Sequence, residues 1–170
     1  ALKALNSEGL KYKGVLSSDI LMKNGNPYVL GFDCTFFDTE IQAVFPRLKA
    51  DFMEIALAIT DERLSDIQNS IEWSQDTSVC IVVSSMGYPG KYQKGLIISG
   101  LENIKSKKDI IVFHSHTGYD NSKIVTSGGR VLSVSAIGAN IKDAREKAYK
   151  ALKEINFKGM HYRKDIGEIQ

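Results

Sequence analysis

The stretch GVLSSDILMKNGNPYVLGFD, residues 14–33, decides how the first half of the chain folds. It consists of two strand-like runs on either side of Asn24-Gly25, and this dipeptide is the strongest short-range signal for a two-residue hairpin turn. We therefore predict that residues 14–33 form an antiparallel β-hairpin.

Two short helices are predicted after the hairpin. Thr39 and Gln42 have the spacing of a capping box, which marks a helix start, and Pro46 closes or kinks the helix that follows. A second helix start lies at Asp51, with Glu54 three residues further on. The predicted buried stripe of this second helix consists of Phe52, Ile55, Ala56 and Ile59.

Past residue 77 the pattern changes to short β-branched runs separated by Gly, Pro and Asn, which is typical of an antiparallel sheet or a small barrel. The runs are SVCIVVSSMG, KGLIISG, DIIVFHSHTG, SKIVTSGG and RVLSVSAIG. A helix capped by Asn140 and extending to Phe157 is predicted to cover this sheet. The predicted fold class is therefore α+β.

The change of pattern also predicts a division into domains. We place the hairpin and its helices in residues 1–70, and the sheet or barrel with its helix in residues 71–170. A chain of 170 residues that is 43% apolar can bury a real core, either as one domain or as two small units.

Composition excludes several classes of partner. With 22 basic and 20 acidic residues, the formal charge of +2 gives no reason to expect nucleic acid or a membrane surface as a partner. Cys34 and Cys80 are too few for a disulfide framework or a zinc cluster, and we interpret them as buried, reduced thiols. No apolar run reaches transmembrane length, and residues 1–10 do not form a secretion signal. We expect a cytoplasmic protein that lacks an amino-terminal part, because the chain starts inside a helical pattern.

Six short blocks of sequence carry a family resemblance through their order and spacing. They are GLKYKGVL, SSMGYPGKYQKG, VFHSHT, VTSGGRVLSVSAIG, AREKAY and FKGMHYRKDIG. Together they resemble the carboxyl-terminal portion of glycinamide ribonucleotide synthetase, also called phosphoribosylamine–glycine ligase. The resemblance implies the last strands of an ATP-grasp domain followed by a small β-rich domain. It also implies ATP, Mg²⁺, glycine and phosphoribosylamine as ligands of the complete enzyme in de novo purine synthesis.

The resemblance places a metal edge at the end of the hairpin. The family block reads roughly E-F-N-x-R-F-G-D-P-E-T-Q, and the aligned residues here are GFDCTFFDTEIQ. Gly31 stands at the metal-binding Glu, Asp33 at the Asn and Thr35 at the Arg. Asp33 keeps a hard oxygen ligand, so the resemblance implies a weakened Mg²⁺ site at Asp33 that binds poorly in this chain alone. The surviving positions of the substrate and nucleotide edge are Asp38, Glu40 and Gln42.

The same residues also have a plainer interpretation. Carboxylates gather at strand ends for capping and turn formation, so the spacing of Asp33 and Asp38 also fits two solvated polar residues with no ligand. Asp19, where the family has a Gly, adds a third carboxylate on the neighbouring strand. No catalytic side chain is identified from the sequence.

Two other motifs suggest a ligand but favour a structural role. His114 and His116 alternate along a predicted strand and so point the same way, as two metal ligands do, but no Cys or third His lies near them in sequence. SGGRV, residues 127–131, has the glycines of a phosphate loop, whereas its β-branched flanks favour a two-residue hairpin turn at Gly128-Gly129.

Three functions of different classes follow from these observations. The chain is the carboxyl-terminal part of a ligase whose partner is an amino-terminal portion, a non-catalytic ATP-grasp relative acting in assembly or regulation, or an unrelated β-rich binding module. The ordered blocks disfavour the third. We prefer the first, expect the chain alone to be inactive, and leave open whether the altered metal edge supports an enzyme.

Overall fold

Residues 1–168 are described by the computed structural model, and they form an α+β fold in which every strand pairing is antiparallel. The helices are α1 (Leu2–Ser7), α2 (Ile41–Val44), α3 (Phe52–Thr60), α4 (Leu64–Ile67) and α5 (Ile141–Leu152). The strands are β1 (Ser17–Lys23), β2 (Asn26–Asp33), β3 (Thr77–Ser85), β4 (Ile110–His114), β5 (Thr117–Asp120), β6 (Lys123–Thr126), β7 (Arg130–Gly138) and β8 (Met160–His161).

The backbone groups into two compact units. The first unit contains residues 1–37 and 48–73, and the second contains residues 38–47 and the chain from Ser74 onwards. The predicted domain boundary near residue 70 stays a prediction.

In the first unit, β1 and β2 form the predicted hairpin. Asn24 and Gly25 take φ values of 52° and 77°, which are the left-handed conformations that a tight two-residue turn requires, and they join Lys23 to its partner Asn26. The pairing runs to Ser17 opposite Asp33, with a bulge between Asp19 and Ile20. The hairpin prediction is confirmed, although the first strand begins three residues later than predicted.

Helix α3 begins where its capping residue predicts. The Asp51 carboxylate accepts a hydrogen bond from the Met53 amide at 2.8 Å, which satisfies one of the free amides of the first turn. The prediction of the buried stripe is wrong: Phe52 is 39% exposed, the other three residues of the stripe are only half-buried, and Ala58, outside the stripe, is the buried residue of the helix. The Phe52 ring instead packs edge-on against Phe36, with ring centroids 5.9 Å apart.

The second unit is built on a four-stranded sheet with the order β4-β7-β3-β8. Its two central strands, β3 and β7, are nine residues long and pair over most of their length. Helix α5 packs on this sheet, and its Asn140 cap accepts a hydrogen bond from the Asp143 amide at 3.0 Å. The main core side chains are Ile81, Val83, Val131, Leu132, Val134, Ala136, Ala144, Ala148 and Leu152. The predicted antiparallel sheet with a covering helix is confirmed.

Three details of the second unit differ from prediction. Helix α5 ends at Leu152 and does not reach Phe157, because Asn156 exchanges two backbone hydrogen bonds with Ser99 and the chain there is extended. KGLIISG forms isolated bridges through Ile97 and Ser99 and no regular strand. Strand β6 pairs with β5 through a turn at Asn121-Ser122, so Gly128-Gly129 does not connect paired strands.

The burial of the two cysteines differs from the prediction. Cys34 is exposed, which corrects the prediction that it is buried, and Cys80 is half-buried; both are free thiols.

None of the helices found in residues 1–168 combines the length and apolar character needed to cross a lipid bilayer.

Candidate functional site

The end of the hairpin places two carboxylates on one face of the first unit. Ser17 lies directly opposite Asp33, and Asp19 lies directly opposite Gly31. Paired residues of an antiparallel ladder share a face, as do residues two apart on one strand. Asp19 and Asp33 are therefore diagonal neighbours on the same face, where the bulge after Asp19 does not separate them.

Gly31 leaves space on that face. A Cβ built on Gly31 meets no atom within 4 Å, and its backbone is not in the left-handed region. The fold therefore does not require glycine at this position. A Cβ atom therefore fits opposite Asp19 without displacing a neighbour.

These residues fit one kind of magnesium site and not another. In the part of the chain that the structure describes, no three His, Cys, Asp or Glu side chains gather as a metal cluster. Mg²⁺ dehydrates reluctantly and commonly takes one or two carboxylates together with substrate phosphate oxygens. Asp33 with Asp19 fits an ion that arrives with a nucleotide, and the pair does not make an all-protein cage.

The predicted nucleotide-edge residues lie in the second unit and form a hydrogen-bonded network. The Gln42 amide nitrogen donates to one Asp38 carboxylate oxygen at 2.6 Å, and the Gln42 amide oxygen accepts from the Thr39 backbone amide at 2.6 Å. The other Asp38 oxygen lies 3.1 Å from a terminal nitrogen of Arg130. Asp38 and Gln42 are thus held together, while Glu40 is exposed.

The predicted capping box at the start of α2 is half present. Gln42 reaches back to the Thr39 amide as such a box requires. Thr39 itself has a φ of 88°, outside the extended conformation of a capping residue, and the helix starts at Ile41. The Gln42 carbonyl also accepts a hydrogen bond from the Ser135 hydroxyl on β7. Two contacts from β7 therefore hold residues 38–42 in the second unit.

Arg130 is the residue of this network that sequence reasoning missed. It follows Gly128-Gly129 in the SGGRV motif, which the sequence analysis interpreted as a hairpin turn. That interpretation is wrong: both glycines are buried, and a Cβ on Gly129 would meet the Tyr88 ring at 2.0 Å. The glycines permit close packing of aromatic rings on the backbone immediately before Arg130.

The two histidines do not share a direction on one strand. Strand β4 ends at His114, whose Nδ1 lies 3.0 Å from the Thr117 hydroxyl. His116 lies beyond the strand, and its Nδ1 lies 2.9 Å from the Arg130 carbonyl oxygen, which can only accept. His116 Nδ1 therefore carries the proton and donates it. The structural interpretation of these histidines accounts for both contacts.

Cys80 lies on β3 beside this network. Burial raises the pKa of the Cys80 thiol above its ordinary value, and the neighbouring Ser135 and Ser133 hydroxyls offset part of that rise. The thiol is protonated at neutral pH and is therefore a poor nucleophile.

Comparison with known proteins connects these features to one family. Residues 78–169, just over half of the chain, match the family model described as phosphoribosylglycinamide synthetase, C domain. The chain belongs to the phosphoribosylglycinamide synthetase family. The matched residues of this synthetase-family chain include Arg130, all of β4 to β8 and all of β3 except Thr77.

Individual relatives match this synthetase-family chain almost from end to end. A phosphoribosylamine–glycine ligase of Caldanaerobacter subterraneus is 44% identical over 163 residues, which are 96% of this chain and 38% of that protein. The trifunctional purine biosynthetic protein adenosine-3 of Gallus gallus is 42% identical over 166 residues, which are 98% of this chain and 16% of that protein. The chain therefore spans about two fifths of the ligase and one sixth of the trifunctional protein.

A solved structure also resembles the synthetase-family chain. The crystal structure of phosphoribosylamine–glycine ligase from Thermotoga maritima matches it with a TM-score of 0.79 at 26% identity. The match covers 97% of this chain and 40% of the Thermotoga chain. The fold of the described residues is thus that of part of a ligase of this family.

Proposed function

We propose that this chain is the carboxyl-terminal part of a phosphoribosylamine–glycine ligase, which forms glycinamide ribonucleotide from phosphoribosylamine, glycine and ATP in purine biosynthesis. The observation that carries the proposal is the alignment of 96% of the chain, at 44% identity, with a protein of that name. A cytoplasmic location belongs to the same proposal and is supported by two cysteines that form no disulfide.

The reaction defines what the site must do. A glycine carboxylate oxygen attacks the γ-phosphorus of ATP, ADP leaves, and glycyl phosphate forms. The phosphoribosylamine nitrogen then attacks the glycyl carbonyl carbon, inorganic phosphate leaves with the electrons of its bond, and the new amide nitrogen gives up a proton. Because both steps concentrate negative charge at phosphate, catalysis depends on positioning and on cationic groups.

Roles for this chain's residues follow from their positions. Asp33, with Asp19 beside it, would hold Mg²⁺ on one face of the hairpin. When bound, Mg²⁺ would offset the negative charge of the phosphate groups. Asp38, Glu40 and Gln42 would form the nucleotide edge. The hydrogen bond and ion pair of Asp38 fix the Asp38 and Gln42 side chains, which lie on either side of Glu40 in the sequence.

The partner in this proposal is the amino-terminal portion of the ligase. Both faces of the hairpin expose large apolar side chains, with exposures from 50% for Leu21 to 69% for Leu30. A two-stranded hairpin is marginally stable in water unless other elements cover it. The curated ligase relative has about 60% of its length beyond the match, which is enough polypeptide to provide that cover.

Reconstitution tests the proposal. The chain is fused in frame to the amino-terminal portion of the Caldanaerobacter ligase, and ATP- and glycine-dependent formation of glycinamide ribonucleotide is measured. We expect turnover by the fusion and none by the 170-residue chain alone. The control is the same amino-terminal portion with its own carboxyl-terminal part. An active control with an inactive, folded fusion would contradict the proposal.

A second candidate is a non-catalytic relative that acts in assembly or regulation. The observation that favours it is Gly31, which stands where the family pattern has a metal-binding Glu although its backbone tolerates a Cβ atom. This candidate gains support if the fusion folds without turnover and Gly31→Glu restores turnover. Turnover by the unmodified fusion excludes it.

A further inference from the structure

Arg130 combines a fixed backbone with an accessible charge. Its guanidinium forms an ion pair with Asp38, and the two side chains are 39% and 43% exposed. It begins the central strand β7, opposite Ser84 of β3. A cationic group on a central strand is displayed more rigidly than one on a loop.

Four contacts fix the backbone that carries Arg130. The Ser85 amide donates to the Gly129 carbonyl at 2.8 Å, and the Ser85 hydroxyl donates to the Gly128 carbonyl at 3.0 Å. His116 Nδ1 donates to the Arg130 carbonyl at 2.9 Å. The Tyr88 ring fills the space above Gly129, where any Cβ would clash. The segment before Arg130 is therefore built to hold one conformation.

The ion pair leaves capacity for a ligand. Asp38 contacts Arg130 through one terminal nitrogen, whereas a guanidinium carries five N–H donors. The planar fork of these donors matches the oxygens of a phosphate group. The His116 and Tyr88 rings pack on Gly128 and Gly129, so the backbone that leads to this arginine is held in place while its charge stays accessible.

We propose that Arg130 binds a phosphate group of a ligase substrate and that Asp38 holds the guanidinium in place until the phosphate arrives. This inference rests on the proposed function for the identity of the substrates. Two substrates carry phosphate: the nucleotide, through its polyphosphate chain, and phosphoribosylamine, through its 5-phosphate. The shared chemistry is a phosphate oxyanion on the Arg130 fork.

Binding experiments on the 170-residue chain test the inference directly. The probes are ATP, ribose 5-phosphate and glycine, and the signals are the arginine side-chain Nε–H resonances in NMR spectra. We expect the Arg130 resonance to move with ATP or with ribose 5-phosphate, and the responding probe identifies the source of the phosphate. Glycine, which has a carboxylate and no phosphate, should leave the resonance in place. An equal response to glycine, or no response to either phosphate probe, overturns the inference.

Matched variants separate phosphate binding from a structural role. Arg130→Gln should weaken the binding affinity for the responding probe by about tenfold or more. Arg130→Lys should recover part of that loss, because lysine keeps the positive charge without the planar fork of donors. Arg63→Gln is the control, since Arg63 is also paired with an aspartate, Asp61, and is similarly exposed at 41%. If Arg130→Gln lowers the melting temperature but leaves phosphate affinity unchanged, the residue is structural and the inference is wrong.

The outcome is distinguishable from failure of the proposed function. If the fusion is inactive as a ligase but its Arg130 still binds phosphate, the proposed function is wrong and the phosphate site is supported. An active fusion in which Arg130→Gln leaves the KM of ATP and of phosphoribosylamine unchanged keeps the function and removes the site.

Discussion

The two compact units of this chain use similar apolar sequences in different ways. In the second unit, Ile81, Val83 and Leu132 are completely buried between the four-stranded sheet and helix α5. In the first unit, the hairpin residues Met22 and Leu30 remain 62% and 69% exposed. Among the described residues, the second unit therefore has a hydrophobic core of its own, whereas the hairpin of the first unit leaves large apolar side chains exposed.

The difference explains why the two units give different kinds of functional information. A sheet with a complete core can fix side chains such as Arg130 by itself, because every supporting contact lies within the unit. An uncovered hairpin can fix only the register of its carboxylates, as with Asp33 and Asp19. Under the proposed function, any metal chemistry at the hairpin would depend on the amino-terminal partner that covers it.

The largest effect should come from the same truncation made in each unit. Leu132→Ala removes a fully buried side chain and should lower the free energy of unfolding by about 2–5 kcal/mol. Leu30→Ala removes a side chain that is already exposed and should change it by about 0.5 kcal/mol or less. Urea unfolding followed by circular dichroism measures both. Equal losses would show that the hairpin is covered in the isolated chain.

Two glycine substitutions sharpen the comparison at the level of single contacts. Gly129→Ala places a methyl group 2.0 Å from the Tyr88 ring, and the resulting overpacking should cost about 1–3 kcal/mol. Gly31→Ala enters open space and should be neutral or stabilise by up to about 1 kcal/mol. Thermal unfolding of the two variants provides the measurement. A Gly129→Ala variant as stable as the original would show that Tyr88 does not pack on the glycine.

Restoring the family's ligands tests the metal edge. Gly31→Glu puts a carboxylate directly opposite Asp19, and like charges opposite each other on a hairpin are destabilising by roughly 0.2–1 kcal/mol without a cation. In the complete ligase context, Gly31→Glu with Asp33→Asn should increase the Mg²⁺ dependence of ATP binding, and Thr35→Arg should help phosphoryl transfer further. Calorimetry with and without Mg²⁺ gives the affinities.

The control for the metal edge is Gly31→Gln, which has the size of Glu without its charge. It should fit equally well and should not increase the Mg²⁺ dependence. If Gly31→Glu behaves like Gly31→Gln, Gly31 and Asp33 do not form the metal edge.

The smallest effect is the pH dependence of the stability that Asp143 contributes at the start of α5. The Ala139 amide, which donates to the Asp143 carboxylate, and then Lys147 lower the pKa of Asp143 below its ordinary value. A lowered pKa in the folded state means that the ionised carboxylate stabilises the fold above its unfolded-state pKa, and this stabilisation is lost as the pH falls through the lower folded value. The stability gap between the original and Asp143→Ala should therefore narrow as the pH falls from neutral through the acidic range in which this carboxylate takes up its proton. A constant gap in urea unfolding would contradict this.

Local chemistry predicted those parts of the fold that depend on neighbouring residues. Asn24-Gly25 specified its turn, and Asp51 and Asn140 specified helix starts, because each acts on amides within three residues. The end of α5 was missed because Ser99, far away in sequence, decides it. The turn at Asn121-Ser122 was missed because this pair is a weaker signal than Asn-Gly.

The candidate site was less predictable for a related reason. Asp38 and Gln42 could be located by resemblance, but Arg130, the partner of Asp38, lies more than 90 residues further along the chain. A glycine pair that permits rings to pack looks the same in sequence as a glycine pair that makes a turn. Only the contacts of Gly128-Gly129 with His116 and Tyr88 distinguish the two.

The exposed hairpin has a consequence for the life of this polypeptide in a cell. Both of its strands are edge strands, so each offers unpaired backbone groups beside apolar side chains. Such a surface is what chaperones bind and what copies of a nascent chain use to aggregate. The abundance of the protein should therefore depend on how soon after synthesis the hairpin is covered. A delay would send the chain to proteolysis even though its second unit is completely folded.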